Sequence, residues 1–115
     1  MGRKNKKSKV VFIDVDGPNK HGMLSAAVVS QTGQKIFKGT ACPEQMTEIL
    51  ETKTSDKVIG GHNVQCDLSR LTHNIAYKGT IDTQNLGSIF HSSNKHDPVE
   101  DARGSQQLAK EHGLI

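Results

Sequence analysis

Val10 to Val15 opens the readable part of the chain with apolar residues on both alternating faces: Val10 and Phe12 on one, Val11, Ile13 and Val15 on the other. That pattern predicts a strand buried on both sides, central in a sheet covered by helices. Asp14 and Asp16 continue the Val10/Phe12 face, so the two-residue period aims both carboxylates to one side before Gly17-Pro18-Asn19 breaks the strand. Met23 to Ser30 and Lys35 to Gly39 read as a hairpin around Gln31-Thr32-Gly33-Gln34. Met46, Ile49 and Leu50 recur at helical spacing, predicting an amphipathic helix over Pro43 to Glu51 with proline in its first turn.

Lys57 to Ile59 predicts a short strand ending at Gly60-Gly61, and Val64, Leu68, Leu71 and Ile75 then predict a helix with Asp67 beside its apolar stripe. Thr80 to Thr83 predicts a strand, Gln84 to Phe90 a helical turn, and Ser92 to Lys95 a loop. The last helix is the best punctuated. Asp97 suits the N-cap, Pro98 the first position, Glu100 a capping box and Gly113 the stop. His96 then precedes the cap and Asp101 lies one turn in. The order β, β, β, α, β, α, β, α predicts an α/β fold with an antiparallel hairpin and a parallel half.

The chain has 115 residues, enough for one domain and one core. Charge divides it: the net +3 conceals a tail in which Arg3, Lys4, Lys6, Lys7 and Lys9 hold five of the fifteen basic residues. The remaining 10 Lys and Arg face 12 Asp and Glu, so the body is −2. Residues 1–9 are therefore expected to form a basic disordered tail that holds a polyanion, directs nuclear targeting or merely solubilises, and 10–115 the domain. That balance argues against a uniformly basic nucleic-acid-binding domain. No apolar run approaches the roughly 20 residues of a membrane span, and no signal-peptide core follows the basic start. An intracellular location, cytoplasm or nucleus, with no membrane association is the expectation. Cys42 and Cys66 lack disulfide or zinc spacing, as do His21, His73, His91 and His112.

Two carboxylates ending a buried strand need positive compensation. Asp67 and Asp101, each beside an apolar helical face, supply two more, and four such groups suit Mg²⁺ or Mn²⁺, hard cations with oxygen ligands. Asp-x-Asp-Gly after an apolar strand also resembles the first motif of haloacid-dehalogenase phosphatases, which would make Asp14 a nucleophile and Asp16 an acid-base group. Pro18 and the lack of a later acidic motif speak against that assignment.

Three motifs in order carry a more specific resemblance. Phe12-Ile13-Asp14-Val15-Asp16-Gly17 is similar to the Asp-x-Glu motif of DEDDh-type 3′→5′ exonucleases, with Asp16 in place of the glutamate. Gly60-Gly61-His62-Asn63-Val64-Gln65-Cys66-Asp67 resembles their second motif, and His96-Asp97-Pro98-Val99-Glu100-Asp101 their third. With Ile81-Asp82-Thr83-Gln84 upstream, the wording resembles the Rex and interferon-stimulated RNA exonuclease branch. The resemblance implies a ribonuclease-H-like mixed sheet in a minimal version. It implies that Asp14, Asp16, Asp67 and Asp101 hold two Mg²⁺ or Mn²⁺ ions and that His96 is the general base. The implied substrates are the 3′ ends of single-stranded RNA or DNA, RNA favoured, and the products nucleoside 5′-monophosphates. Lys20, Lys35, Lys38 and Arg103 are candidate phosphate contacts, and His62 is expected to support the second-motif turn. The alternative is an exonuclease-fold module that binds nucleic acid or protein with little or no cleavage. Oligomeric state is left open by the sequence.

Overall fold

The computed structural model describes residues 9–86 and 97–115. Five strands form one mixed sheet: β1 (Val10–Asp16), β2 (Leu24–Ser30), β3 (Lys35–Ala41), β4 (Val58–Gly61) and β5 (Gly79–Asp82), in the spatial order β3-β2-β1-β4-β5. β1 is central, as its two apolar faces require. The hairpin side is antiparallel, with Asp14 opposite Ala27, and the other side parallel, with Val11 beside Ile59 and Gly60 beside Ile81.

Among the described residues three helices cover the sheet: α1 (Pro43–Thr54), α2 (Val64–Ser69) and α3 (Pro98–Glu111). The alternation in β1 sorts them into two layers. Val11, Ile13 and Val15 pack with Met46 and Leu50 of α1 and Val64 of α2. Phe12 packs on the opposite face with Val99, Ala102 and Ala109 of α3. Phe12 is wholly buried, and its ring fixes the sequence next door. A Cβ added at Gly60 would lie 2.8 Å from Phe12 Cζ and closer still to the ring edge, so glycine is required where the two strands share this rung.

Among the described residues the predicted strands and helices are present, with shifted ends. β3 and α1 run two and three residues farther than expected, and Gly60-Gly61 belongs to β4 instead of ending it. The helix expected through Ile75 stops at Ser69. Leu71 and Ile75 nevertheless enter the α1/α2 core, and α1 supplies acceptors to the amides that follow each of them. Thr47 Oγ1 accepts the Thr72 amide at 3.0 Å, and Glu51 Oε2 accepts the Ala76 amide at 3.2 Å. Apolar spacing alone could not distinguish that arrangement from two further helical turns. A single 3-10 turn (Thr83–Leu86) follows β5, and the rest of the turn expected to Phe90, with the loop to Lys95, lies outside the described residues. Among the described residues no helix is long and apolar enough to cross a membrane.

Candidate metal centre

The site begins with β1. Because even-numbered positions face α3, Asp14 and Asp16 emerge on the α3 side at the end of the strand, where they pair with Ala27 and Ser25 of β2 before the chain turns away. Gly17 makes the turn at φ 111°, and a Cβ there would meet the Met23 carbonyl oxygen at 2.9 Å.

α3 delivers the third carboxylate. Asp97 caps it, accepting the Val99 amide at 3.0 Å, and Pro98 follows at the first helical position. Arg103 Nε donates to the Gly33 carbonyl and Gln106 Nε2 to the Gln31 carbonyl, each at 2.8 Å, which pins the helix to the β2–β3 turn. One carboxylate oxygen from each of Asp14, Asp16 and Asp101 lies within 4.8 Å of the other two, and all three residues are half-buried. An octahedral ion with bonds of about 2.0–2.1 Å spans about 4 Å between opposite ligands and about 3 Å between adjacent ones, so the three oxygens would draw together by up to about 2 Å to share one ion. The donor set, three carboxylates, is that of a hard divalent cation.

Asp67 approaches from α2 and is 6% exposed. Burial, and next the Asp14 charge, push its pKa up to about 8, with a smaller push from Asp16; the Val15 amide and the Arg70 guanidinium act in the opposite sense. Its Oδ2 has no hydrogen-bond partner among the described residues. A buried, partnerless carboxylate oxygen beside a carboxylate triad is the feature that a bound cation would satisfy.

The position of α2 is set largely by Asp82 and Arg70, to which the sequence assigned no role. Asp82, at the end of β5, accepts the amides of Asn63 at 2.9 Å, Val64 at 3.0 Å and Gln84 at 2.9 Å. Partial burial would raise its pKa, but these amide donors prevail and lower it. Asn63 takes the left-handed conformation at φ 72°, which asparagine tolerates, and its side chain accepts the Cys66 amide. His62 Nδ1 lies 3.1 Å from Thr83 Oγ1, which in turn donates to the Gly61 carbonyl, in line with the supporting role expected of it. Arg70 donates to the Gly17 carbonyl, joining the end of α2 to the turn after Asp16. Its i+3 spacing from a buried Asp67 was the available signal.

Asp14, Asp16 and Asp101 thus converge and Asp67 stands close enough to feel the charges of Asp14 and Asp16, whereas the expected general base, His96, lies outside the described residues. Of the candidate phosphate contacts, Arg103 is engaged with Gly33 and with Glu100 at 3.8 Å, and Lys38 stands 3.8 Å from Asp97. Cys42 and Cys66 are free thiols. No family model matches the sequence, and no curated protein does.

Proposed function

We propose that this protein is a metal-dependent 3′→5′ exonuclease of ribonuclease-H-like fold that hydrolyses single-stranded nucleic acid, RNA in preference, to nucleoside 5′-monophosphates. One observation supports the reading: Asp14 and Asp16 of the first motif and Asp101 of the third bring carboxylate oxygens together, with Asp67 of the second close enough to feel the Asp14 and Asp16 charges. The mixed sheet, with an antiparallel hairpin on one side of β1 and parallel strands on the other, agrees with it.

Asp14, Asp16 and Asp101 would hold divalent ions, with Asp67 completing the donor set. Two such ions would supply the positive charge that stabilises the attacking and leaving oxygens of an in-line displacement at phosphorus. His96, adjoining the cap of α3, accepts a proton from the attacking water, a task suited to an imidazole of pKa near ~6.5. The water oxygen bonds to phosphorus as the bond to the 3′ oxygen of the preceding nucleotide breaks. That oxygen leaves as a hydroxyl once protonated, and the terminal nucleotide departs as its 5′-monophosphate. Arg70 and Asp82 hold α2 so that Asp67 stays at the end of β1.

The test is incubation of 3′-extended RNA and DNA with Mg²⁺ or Mn²⁺. Stepwise shortening from the 3′ end, abolished by His96→Ala and by Asp101→Ala, is the expected result. Absence of metal-dependent shortening of either strand overturns the proposal, and binding without cleavage then identifies a non-catalytic module.

A further inference from the structure

The −2 charge of the body is not spread evenly over the fold. The carboxylates of the metal centre, with Asp82, stand where β1, β4 and β5 end. At the opposite end, each of these three strands is immediately preceded by a lysine. Val10 pairs with Val58 and Val58 with Gly79, so Lys9, Lys57 and Lys78 lie side by side in the same register. Their backbones are joined directly: the Val58 amide donates to the Lys9 carbonyl at 2.9 Å, and the Lys78 amide to the Lys57 carbonyl at 2.7 Å. With neighbouring strands about 4.8 Å apart, three cationic residues occupy a span of about 10 Å. Lys53 enters the same region from the last turn of α1, whose Thr54 carbonyl accepts the Lys57 amide. Asp56, 3.7 Å from the Lys57 ammonium, offsets one charge.

Like charges on adjacent strands repel, and an anion laid across them removes that cost. We infer that this end of the sheet is a binding surface for the phosphate backbone of a single-stranded nucleic acid. A membrane surface fits less well. Interfacial binding needs apolar side chains beside the charges, and the large exposed apolar residues among those described are Ile36 on β3 and Leu114 beyond α3. The lysine row lies about 16–23 Å along β1 from Asp14 and Asp16, the length of about five to seven stacked nucleotides.

The inference does not depend on hydrolysis, so it is tested in EDTA with the full chain and a labelled oligouridylate, followed by fluorescence anisotropy over a salt series. Lys9→Gln combined with Lys78→Gln removes two exposed cations and leaves the paired Lys57 in place. Each phosphate contact to a single strand contributes about 0.7 to the salt slope. The double variant is therefore expected to have a slope shallower by about 1.4 and to bind roughly 25-fold more weakly at about 0.1 M salt. Gln107→Glu with Lys110→Gln, both exposed on α3, changes the net charge equally elsewhere and is expected to lose much less. Equal losses in the two double variants, an unchanged slope in the first, or wild-type protein that binds phosphatidylserine vesicles but no oligonucleotide would each overturn the inference. Matching circular-dichroism melts verify that the variants fold. A chain that binds through this row but never cleaves leaves the inference standing and removes the hydrolytic proposal.

Discussion

Removing the charge of Asp67 should stabilise the metal-free protein, which is unusual for a polar residue buried in a core region. The carboxyl titrates near 3.8 in an unfolded chain and is pushed up to about 8 in the fold by burial and by Asp14. Between those values the native state binds the proton that the unfolded state has released. Stability therefore falls as pH rises, by about 1.4 kcal/mol per unit, and levels off above the folded pKa. At pH about 7 the accumulated cost is about 4 kcal/mol, a large share of the roughly 5–15 kcal/mol that stabilises a domain. Asp67→Asn keeps the shape and an acceptor for the Val15 amide but cannot ionise. In EDTA, urea unfolding followed by far-ultraviolet circular dichroism should place the variant about 4 kcal/mol above wild type at pH about 7 and within about 1 kcal/mol of it at pH about 4. Saturating Mn²⁺ should reverse the order, because an ion held by the fold stabilises wild type and is bound less well by the variant. A variant less stable than wild type in EDTA at neutral pH, or a difference independent of pH, would refute the reasoning.

Two further outcomes follow from the packing around the site. Gly60→Ala forces a methyl group into the Phe12 ring, and because that ring is wholly buried it should destabilise the fold by about 3 kcal/mol in the same unfolding assay; a loss under about 1 kcal/mol would mean that the ring can move aside. Asp82→Ala takes the acceptor from two amides at the start of α2 and from that of Gln84 after β5, and should cost about 1–3 kcal/mol, with Asp82→Asn recovering part of it. Since the folded pKa of Asp82 is lowered, its contribution is complete at neutral pH and is lost as pH falls through that folded value, below 3.8, so the Asp82→Ala penalty should shrink in acid.

What was legible in the sequence is what periodicity and capping encode. The two-sided apolar pattern of β1 established its central place, and the same alternation put Asp14 and Asp16 on the Phe12 face, where α3 packs. Asp97 and Pro98 fixed the start of α3 and with it the phase that turns Asp101 toward the triad. Interactions at long sequence separation were not legible. The segment after Ser69 keeps the apolar spacing of a helix, and only the Thr47 hydroxyl and Glu51 carboxylate, more than twenty residues away, allow it to leave the helix with its amides satisfied. Asp82 holds α2 across a comparable gap.

Charge shows the same division between composition and placement. The net balance of the body argues against a basic binding domain, and for a uniform distribution that argument holds. In-register parallel strands break the uniformity, because every strand that leaves the sheet toward the carboxylates must have entered from the other side, where Lys9, Lys57 and Lys78 stand. An acidic end that repels phosphate until a cation is bound and a basic end that attracts it without one make binding and cation loading separable. Binding of an oligonucleotide in EDTA should then respond to the lysines and to salt, whereas Mn²⁺-dependent stabilisation should respond to Asp14 and Asp101. Each set of substitutions should leave the other measurement in place, and a lysine variant that abolished the Mn²⁺ response would show that the two ends are coupled through the sheet.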